Sequence, residues 1–172
     1  MKNEKLYIYF DSAQLEQDES LKKNILSLDM ETEFINVDEN QNDLELVNGL
    51  IEKSENSLPI LRIGEHKIRA VLYNPNIELL QKIFSDSSAN IDLPQPTIYS
   101  TTWCGDCRQL KFWMDSQKIT YDEILIEDSE ELKEQIVRWS GGRRVIPTVD
   151  YESIGRLFNP GITLFQKLYK TT

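Results

Sequence analysis

Apolar residues along the chain fall into short runs divided by polar turns, and the spacing inside the runs switches between the period of a strand and that of a helix. Residues 97–100 (Thr-Ile-Tyr-Ser) and 121–126 are β-branched and aromatic and read as strands, with a helical pattern over 108–117 between them. A second helix starts at the N-cap box Asp128-Ser129-Glu130-Glu131, puts Leu132, Ile136 and Trp139 on one face and stops at Gly141-Gly142. Residues 147–151 and 154–158 are short strands on either side of a turn. Pro160 falls in the first turn of the last helix, where its missing N–H costs nothing. The N-terminal half repeats the plan, with the run Leu6-Tyr7-Ile8-Tyr9-Phe10, a helix carrying Leu44, Val47 and Ile51, and a hairpin turn at Gly64-Glu65. Strands alternating with helices predict α/β layers around a central sheet.

The halves match residue by residue, which marks an internal duplication. Ile8-Tyr9-Phe10 lies over Ile98-Tyr99-Ser100 at an offset of 90, and the same offset sets the run from Glu33 to Asp38 over that from Glu123 to Asp128. Leu58-Pro59-Ile60 lies over Ile146-Pro147-Thr148 at offset 88, and the run from Asn74 to Phe84 lies over that from Asn159 to Tyr169 at offset 85. Ser, Asn and Pro between the copies read as a linker over 86–96, so the chain divides into 1–85, linker and 97–172.

Composition is that of a globular protein of 172 residues, 40% hydrophobic and 28% charged. A net charge of −10 argues against phosphate-driven nucleic-acid binding and against anionic membrane surfaces. That charge is uneven: residues 1–90 hold 9 cations and 17 anions, net −8, and residues 91–172 hold 10 and 12, net −2. The N-terminus lacks the h-region of a signal peptide, and no uncharged stretch reaches the roughly 20 apolar residues of a membrane span, so a cytoplasmic protein is expected. A monomer is the expected state, although nothing in the sequence fixes it. Two cysteines and one histidine cannot build a four-ligand zinc site within one chain, so no metal site is expected.

Both cysteines belong to the second copy, three residues apart, where a strand runs into Thr101-Thr102-Trp103-Cys104-Gly105-Asp106-Cys107 and then a helix. In a C-x-x-C at a helix start, the first sulfur faces the unpaired N–H groups of the first turn and the positive end of the helix dipole, which favours its thiolate. The second sulfur, one turn on, can attack a mixed disulfide formed by the first. Cys104 is thus the candidate nucleophile and Cys107 the resolving thiol. Competing readings are a pair of buried small hydrophobes, a zinc half-site completed by a second chain with only His66 to help, and an iron–sulfur cluster shared between chains. In a reducing compartment a Cys pair points to catalysis or metal binding rather than to a structural disulfide.

The run from Tyr99 to Arg108, with Ile146-Pro147-Thr148-Val149 about forty residues on and Asn159-Pro160 before the last helix, resembles the glutaredoxin family, and most the mycoredoxin and ribonucleotide-reductase redoxin branches. The resemblance covers about 96–169, and the first copy resembles the same fold over about 5–84 with weaker motifs. It implies two tandem thioredoxin-like repeats, each a mixed four-stranded sheet flanked by about three helices. It also implies a cis-proline at Pro147 facing the disulfide, with the backbone of Ile146 offered to an extended substrate.

Around the cysteines, Trp103 could wall the substrate groove or pack against the domain, and Arg144 with Arg143 could clamp a carboxylate or remain solvated. Asp106 should oppose a Cys104 thiolate and Arg108 should favour it. Many glutathione-using members place a Lys three residues before the nucleophile and Gly-Gly at the last helix. Here Thr101 and Phe158-Asn159-Pro160-Gly161 stand instead. In the first copy Ala13, Gln14 and Gln17 fall opposite Trp103, Cys104 and Cys107, so it cannot exchange thiols, although Pro59 stands opposite Pro147. It is expected to be a docking module or a packing brace.

The expected function is thiol–disulfide exchange on protein or low-molecular-weight disulfides, with no bound cofactor. Electrons would come from a low-molecular-weight thiol such as glutathione or mycothiol, or from a flavin reductase. An inactive copy before an active one also resembles the N-terminal tandem of alkyl hydroperoxide reductase flavoproteins, which suggests a peroxidase or reductase as partner. The alternative is a redox sensor or binding module whose disulfide switches association without turnover.

Overall fold

The computed structural model describes residues 4–12, 19–28, 30–51, 58–73, 77–84 and 91–169. The first half contains β1 (Leu6–Phe10), α1 (Glu19–Leu26), β2 (Thr32–Asn36), α2 (Gln41–Ile51), β3 (Ile60–Ile63), β4 (Ala70–Tyr73) and α3 (Ile77–Phe84). The second follows the same order with β5 (Thr97–Ser100), α4 (Gly105–Ser116), β6 (Asp122–Leu125), α5 (Glu130–Trp139), β7 (Thr148–Tyr151), β8 (Gly155–Phe158) and α6 (Ile162–Leu168). Strand directions match as well: β1 runs parallel to β2 and antiparallel to β3, just as β5 runs parallel to β6 and antiparallel to β7. The registers differ by one residue: Ile8 pairs with Phe34, whereas Ile98 pairs with Glu123 and not with Ile124, which the offset of 90 sets opposite Phe34.

The two four-strand sets are not separate sheets. β4 pairs antiparallel with β8, giving one eight-stranded mixed sheet in the order β2-β1-β3-β4-β8-β7-β5-β6. Alternate residues of each strand therefore feed two cores, one on each face. Leu6, Ile8, Leu61, Ile63, Ala70 and Leu72 point to the face where α3 and α6 bring Leu80, Ile83, Phe165 and Leu168. Tyr7, Tyr9, Ile60, Val71 and Tyr73 point to the other face, where α2 and α5 bring Val47, Leu50, Ile136 and Trp139. Both cores draw on both halves, so the architecture is that of two thioredoxin-like units fused edge to edge.

The seam has its own sequence requirements. Gly155 sits at φ +137, and a Cβ there would lie 2.1 Å from the Val71 carbonyl oxygen, so only glycine lets β8 approach β4 this closely. Tyr73 N–H donates to the Ile154 carbonyl at 2.8 Å and Phe158 N–H to the Arg69 carbonyl at 2.9 Å, extending the ladder beyond the paired strands. Within the expected linker, 86–90 lie outside the described residues, while Ile91 and Leu93 pack half-buried against the first core.

Two local expectations shift. The last helix begins at Ile162 with Gly161 as its N-cap, so Pro160 precedes the cap rather than occupying the first turn. Ser129 alone caps α5, its hydroxyl accepting from Leu132 N–H at 3.2 Å. That helix ends as its glycines require, with Gly141 and Gly142 both at positive φ.

Buried tyrosines set the alkaline limit. Burial pushes the Tyr9 and Tyr73 hydroxyls up to about 12, and Tyr151, buried and hydrogen-bonded to Tyr169 at 2.8 Å, lies well above 10. Because the folded values exceed the unfolded value near 10, their stabilisation is whole below about pH 10 and is lost as pH rises through about 12. Urea midpoints should therefore fall steeply between about pH 10 and 12, with Tyr73→Phe flattening the slope. An unchanged midpoint across that window would remove this account.

Candidate active site

β5 ends at Ser100, and the chain turns through Thr101, Thr102 and Trp103 into α4. Cys104 is the N-cap of that helix: its backbone is extended at φ −71, ψ 113, and its sulfur accepts from Cys107 N–H at 3.1 Å. The first sulfur therefore occupies the place of a capping oxygen, against a helix-start donor and the positive end of the dipole. Cys104 and Cys107 form a disulfide, with Cα atoms 5.3 Å apart. Cys104 is 5% exposed and Cys107 fully buried, so solvent reaches only the first residue of the pair.

The turn is pinned from two sides. Thr102 donates to Glu127 Oε2 from both its N–H, at 3.0 Å, and its hydroxyl, at 3.2 Å. Arg108 Nη1 donates to the Thr102 carbonyl at 3.0 Å and so ties its guanidinium to the loop. Behind the loop, Ser100 and Lys111 both donate to Glu123 Oε1. Burial pushes the Glu123 carboxyl up, but these two hydrogen bonds outweigh it and hold the group below the ordinary carboxylate range.

The remaining predicted residues surround this turn. The Ile146–Pro147 bond is cis, as is Leu58–Pro59 at the matching place of the first half. Pro147 leads into β7, and its carbonyl accepts from Asn159 N–H at 2.8 Å. Asn159, at φ +44, donates from Nδ2 to Asp106 Oδ2 at 3.2 Å, tying the end of β8 to the residue between the cysteines. Trp103 is 64% exposed, so its ring stands at the surface beside the cysteines and not in the core. It lines a small cavity with Thr101, Glu127, Lys133 and Arg144. The hydroxyl of Thr101 in that wall is buried and has no hydrogen-bond partner among the described residues. Ile146, Arg143, Arg144 and Asn159 line a neighbouring cavity of about 290 Å³. Pro160 and Asn159 border a third, of about 570 Å³, that reaches Asp106.

Sequence reasoning missed the Thr102–Glu127 and Asn159–Asp106 contacts, whose partners lie 25 and 53 residues apart. It also missed Lys67 and Arg69 of the first half, which line the second cavity. Gln14 and Gln17, the expected replacements for the cysteines, lie outside the described residues. No group of three or more metal-ligating side chains occurs among the described residues. None of the described helices is long and apolar enough to cross a membrane.

Comparison with known proteins falls on the same half. The glutaredoxin family model matches residues 97–152, which contain both cysteines. A Mycobacterium tuberculosis protein carrying the glutaredoxin name is 41% identical over 64 residues, 37% of this chain and 76% of that protein. Mycoredoxin 1 of Corynebacterium glutamicum is 39% identical over 64 residues, 37% of this chain and 78% of its own. The glutaredoxin-like protein NrdH of Lactococcus lactis is 32% identical over 53 residues, 31% of this chain and 71% of its own. The C-x-x-C pair thus lies within the family's domain as its dithiol redox centre, and it supports thiol–disulfide oxidoreductase activity. On these matches and the geometry of its cysteines, the chain belongs to the glutaredoxin family.

Proposed function

We propose that the protein reduces disulfides of low-molecular-weight thiols or proteins, with Cys104 as nucleophile and Cys107 as resolving thiol, in the manner of the mycoredoxin and NrdH branches. The observation that carries the assignment of roles is the asymmetry of the pair: Cys104 caps α4 and touches solvent, whereas Cys107 is sealed in the core. In the reduced protein the Cys104 thiolate attacks a disulfide R–S–S–R. A Cys104–S–S–R bond forms as the R–S–S–R bond breaks, and the first thiolate leaves and takes up a proton. Cys107, deprotonated, then attacks the Cys104 sulfur, a second thiolate leaves, and the Cys104–Cys107 disulfide of the present structure results. Two electrons pass from protein to substrate, and two equivalents of a low-molecular-weight thiol, or a flavin reductase, restore the dithiol. Thr101 in place of the lysine common in glutathione-using members favours a donor other than glutathione.

The first half acts as a brace in this reading. Its strand β4 supplies the hydrogen-bonding partner of β8, and its helices complete both cores, which units 1–85 and 97–172 hinged at a linker would not require. The setting proposed is the cytoplasm, with protein disulfides as further substrates.

The test is capture. Cys107→Ser should stop the reaction after its first step and accumulate a one-to-one mixed disulfide on Cys104, read as a mass increase on the intact protein. If the Cys107→Ser variant accumulates no adduct while wild-type protein turns over normally, the roles of the two cysteines are exchanged.

A further inference from the structure

The cleft beside the Pro147 loop is built by both halves, and its charge runs against that of the molecule. Lys67 and Arg69, from the segment between β3 and β4, face Arg143 and Arg144, from the loop between α5 and β7, across a cavity of about 290 Å³ that Ile146 and Asn159 also line. Four cations converge there in a chain of net charge −10, and half of them come from the half that carries −8. Among the described residues Lys67 and Arg143 form no ion pair, Arg144 feels only the exposed carboxylate of Glu130, and Arg69 has only Glu4, at 3.5 Å and solvent-exposed. All four side chains are exposed, and together they give this cleft a positive potential that attracts anions.

Two of the cleft's lining residues also lie beside the cysteine turn. Arg144 lines both this cavity and the one walled by Trp103, in which the buried Thr101 hydroxyl lacks a partner. On the other side Asn159 lines it and hydrogen-bonds Asp106, between Cys104 and Cys107. A small molecule whose sulfur meets Cys104 beside Trp103 can thus extend past Arg144 into the cluster of cations.

We infer that this cleft is a subsite for the acid group, carboxylate or phosphate, of a low-molecular-weight thiol or its disulfide, and that the cysteine-free first half supplies two of its four cations. The inference rests on the proposed exchange reaction and adds the substrate's charge to it. The cavity's size suits one small anionic moiety, and its guanidinium groups match the planar, two-oxygen face of such acids. The first half is then both a brace and a part of the substrate site.

Three small disulfides of similar size separate the terms: dianionic 3,3′-dithiodipropionate, neutral 2-hydroxyethyl disulfide and dicationic cystamine. The readout is the second-order rate of oxidation of pre-reduced full-length protein. For Lys67→Gln/Arg69→Gln, the ratio of the anionic to the neutral rate should fall about tenfold, and the ratio of the cationic to the neutral rate should rise. Arg143→Gln/Arg144→Gln should move both ratios in the same directions, and about 0.5 M salt should shrink the wild-type preference. A disulfide of a phosphate-bearing thiol, run alongside, ranks the two acids, and sensitivity of either to the variants supports the subsite. Ratios unchanged in both variants would overturn it, as would an equal loss on all three probes. Response only to an acidic peptide disulfide, with the small probes indifferent, would overturn it as well. Failure of wild-type protein to react with any disulfide would instead sink the exchange reaction itself, so the two failures are distinguishable.

Discussion

Cys104→Ser is expected to abolish disulfide reduction, lowering the rate by roughly a thousandfold or more, while leaving the fold in place. The chemical step needs a nucleophile that is partly anionic near neutral pH and that forms a bond to sulfur. A serine hydroxyl meets neither demand, even against the donors that begin α4. The fold should survive because serine is among the preferred N-cap residues and can accept from Cys107 N–H as the sulfur does now. Thermal denaturation of the variant should therefore match that of the reduced wild-type protein, which separates loss of chemistry from loss of structure. Stopped-flow oxidation by 2-hydroxyethyl disulfide reads the rate. Retention of even a tenth of the wild-type value would mean that Cys107 attacks first or that the reaction lies elsewhere. A wild-type disulfide that no thiol or reductase recycles, with partner association following its redox state, would favour the sensor reading instead.

The part of this protein that sequence reveals is the part built from local rules. A strand running into C-x-x-C, a Ser before acidic residues, glycines after Trp139 and a proline opening β7 each impose one conformation through a few neighbouring residues. The duplication is legible for the same reason, since Ile8 and Ile98 hold the same place in the same local pattern, each in a strand with a parallel and an antiparallel neighbour. What joins the copies is not. β4 and β8 each read as the last strand of an independent sheet, because pairing partners 83 to 87 residues apart leave no periodic trace: Ala70 meets Leu157 and Leu72 meets Gly155. Arg156, a charged residue inside the short strand expected over 154–158, is 3% exposed, which nothing local foretells. The cation cleft is half legible, through Arg143-Arg144, and the other half lies in a hairpin assigned no chemistry.

Arg156→Met should strongly destabilise the seam. The guanidinium lies 3.7 Å over the ring of Trp139 and donates from Nη1 to the Leu50 carbonyl, at the end of α2, at 2.8 Å. Its Nε stands 3.3 Å from Asp150 Oδ1, and the ring of Tyr73 on β4 lies 5.5 Å away. One side chain thus joins β8 and β7 of the second half to α2 and β4 of the first. Methionine keeps much of the apolar stem but leaves the Leu50 carbonyl without this donor and Asp150, 15% exposed at its side chain, without this cation. Breaking a buried pair from one side costs about 3–5 kcal/mol, which in a chain of this size lowers Tm by about 10 °C. Adding Asp150→Asn removes the carboxylate charge that faced Arg156, so the double variant should recover about 1–3 kcal/mol relative to the sum of the single losses. Calorimetry of the three variants decides it, and a Tm for Arg156→Met within about 2 °C of wild type would show that the seam rests on its strand pairing alone. The same variant bears on the site. Arg69 and Phe158 are joined backbone to backbone across the seam, and both line the cation cleft. A loosened seam should therefore spread Lys67 and Arg69 from Arg143 and Arg144, and weaken the preference for anionic disulfides before it touches the cysteines.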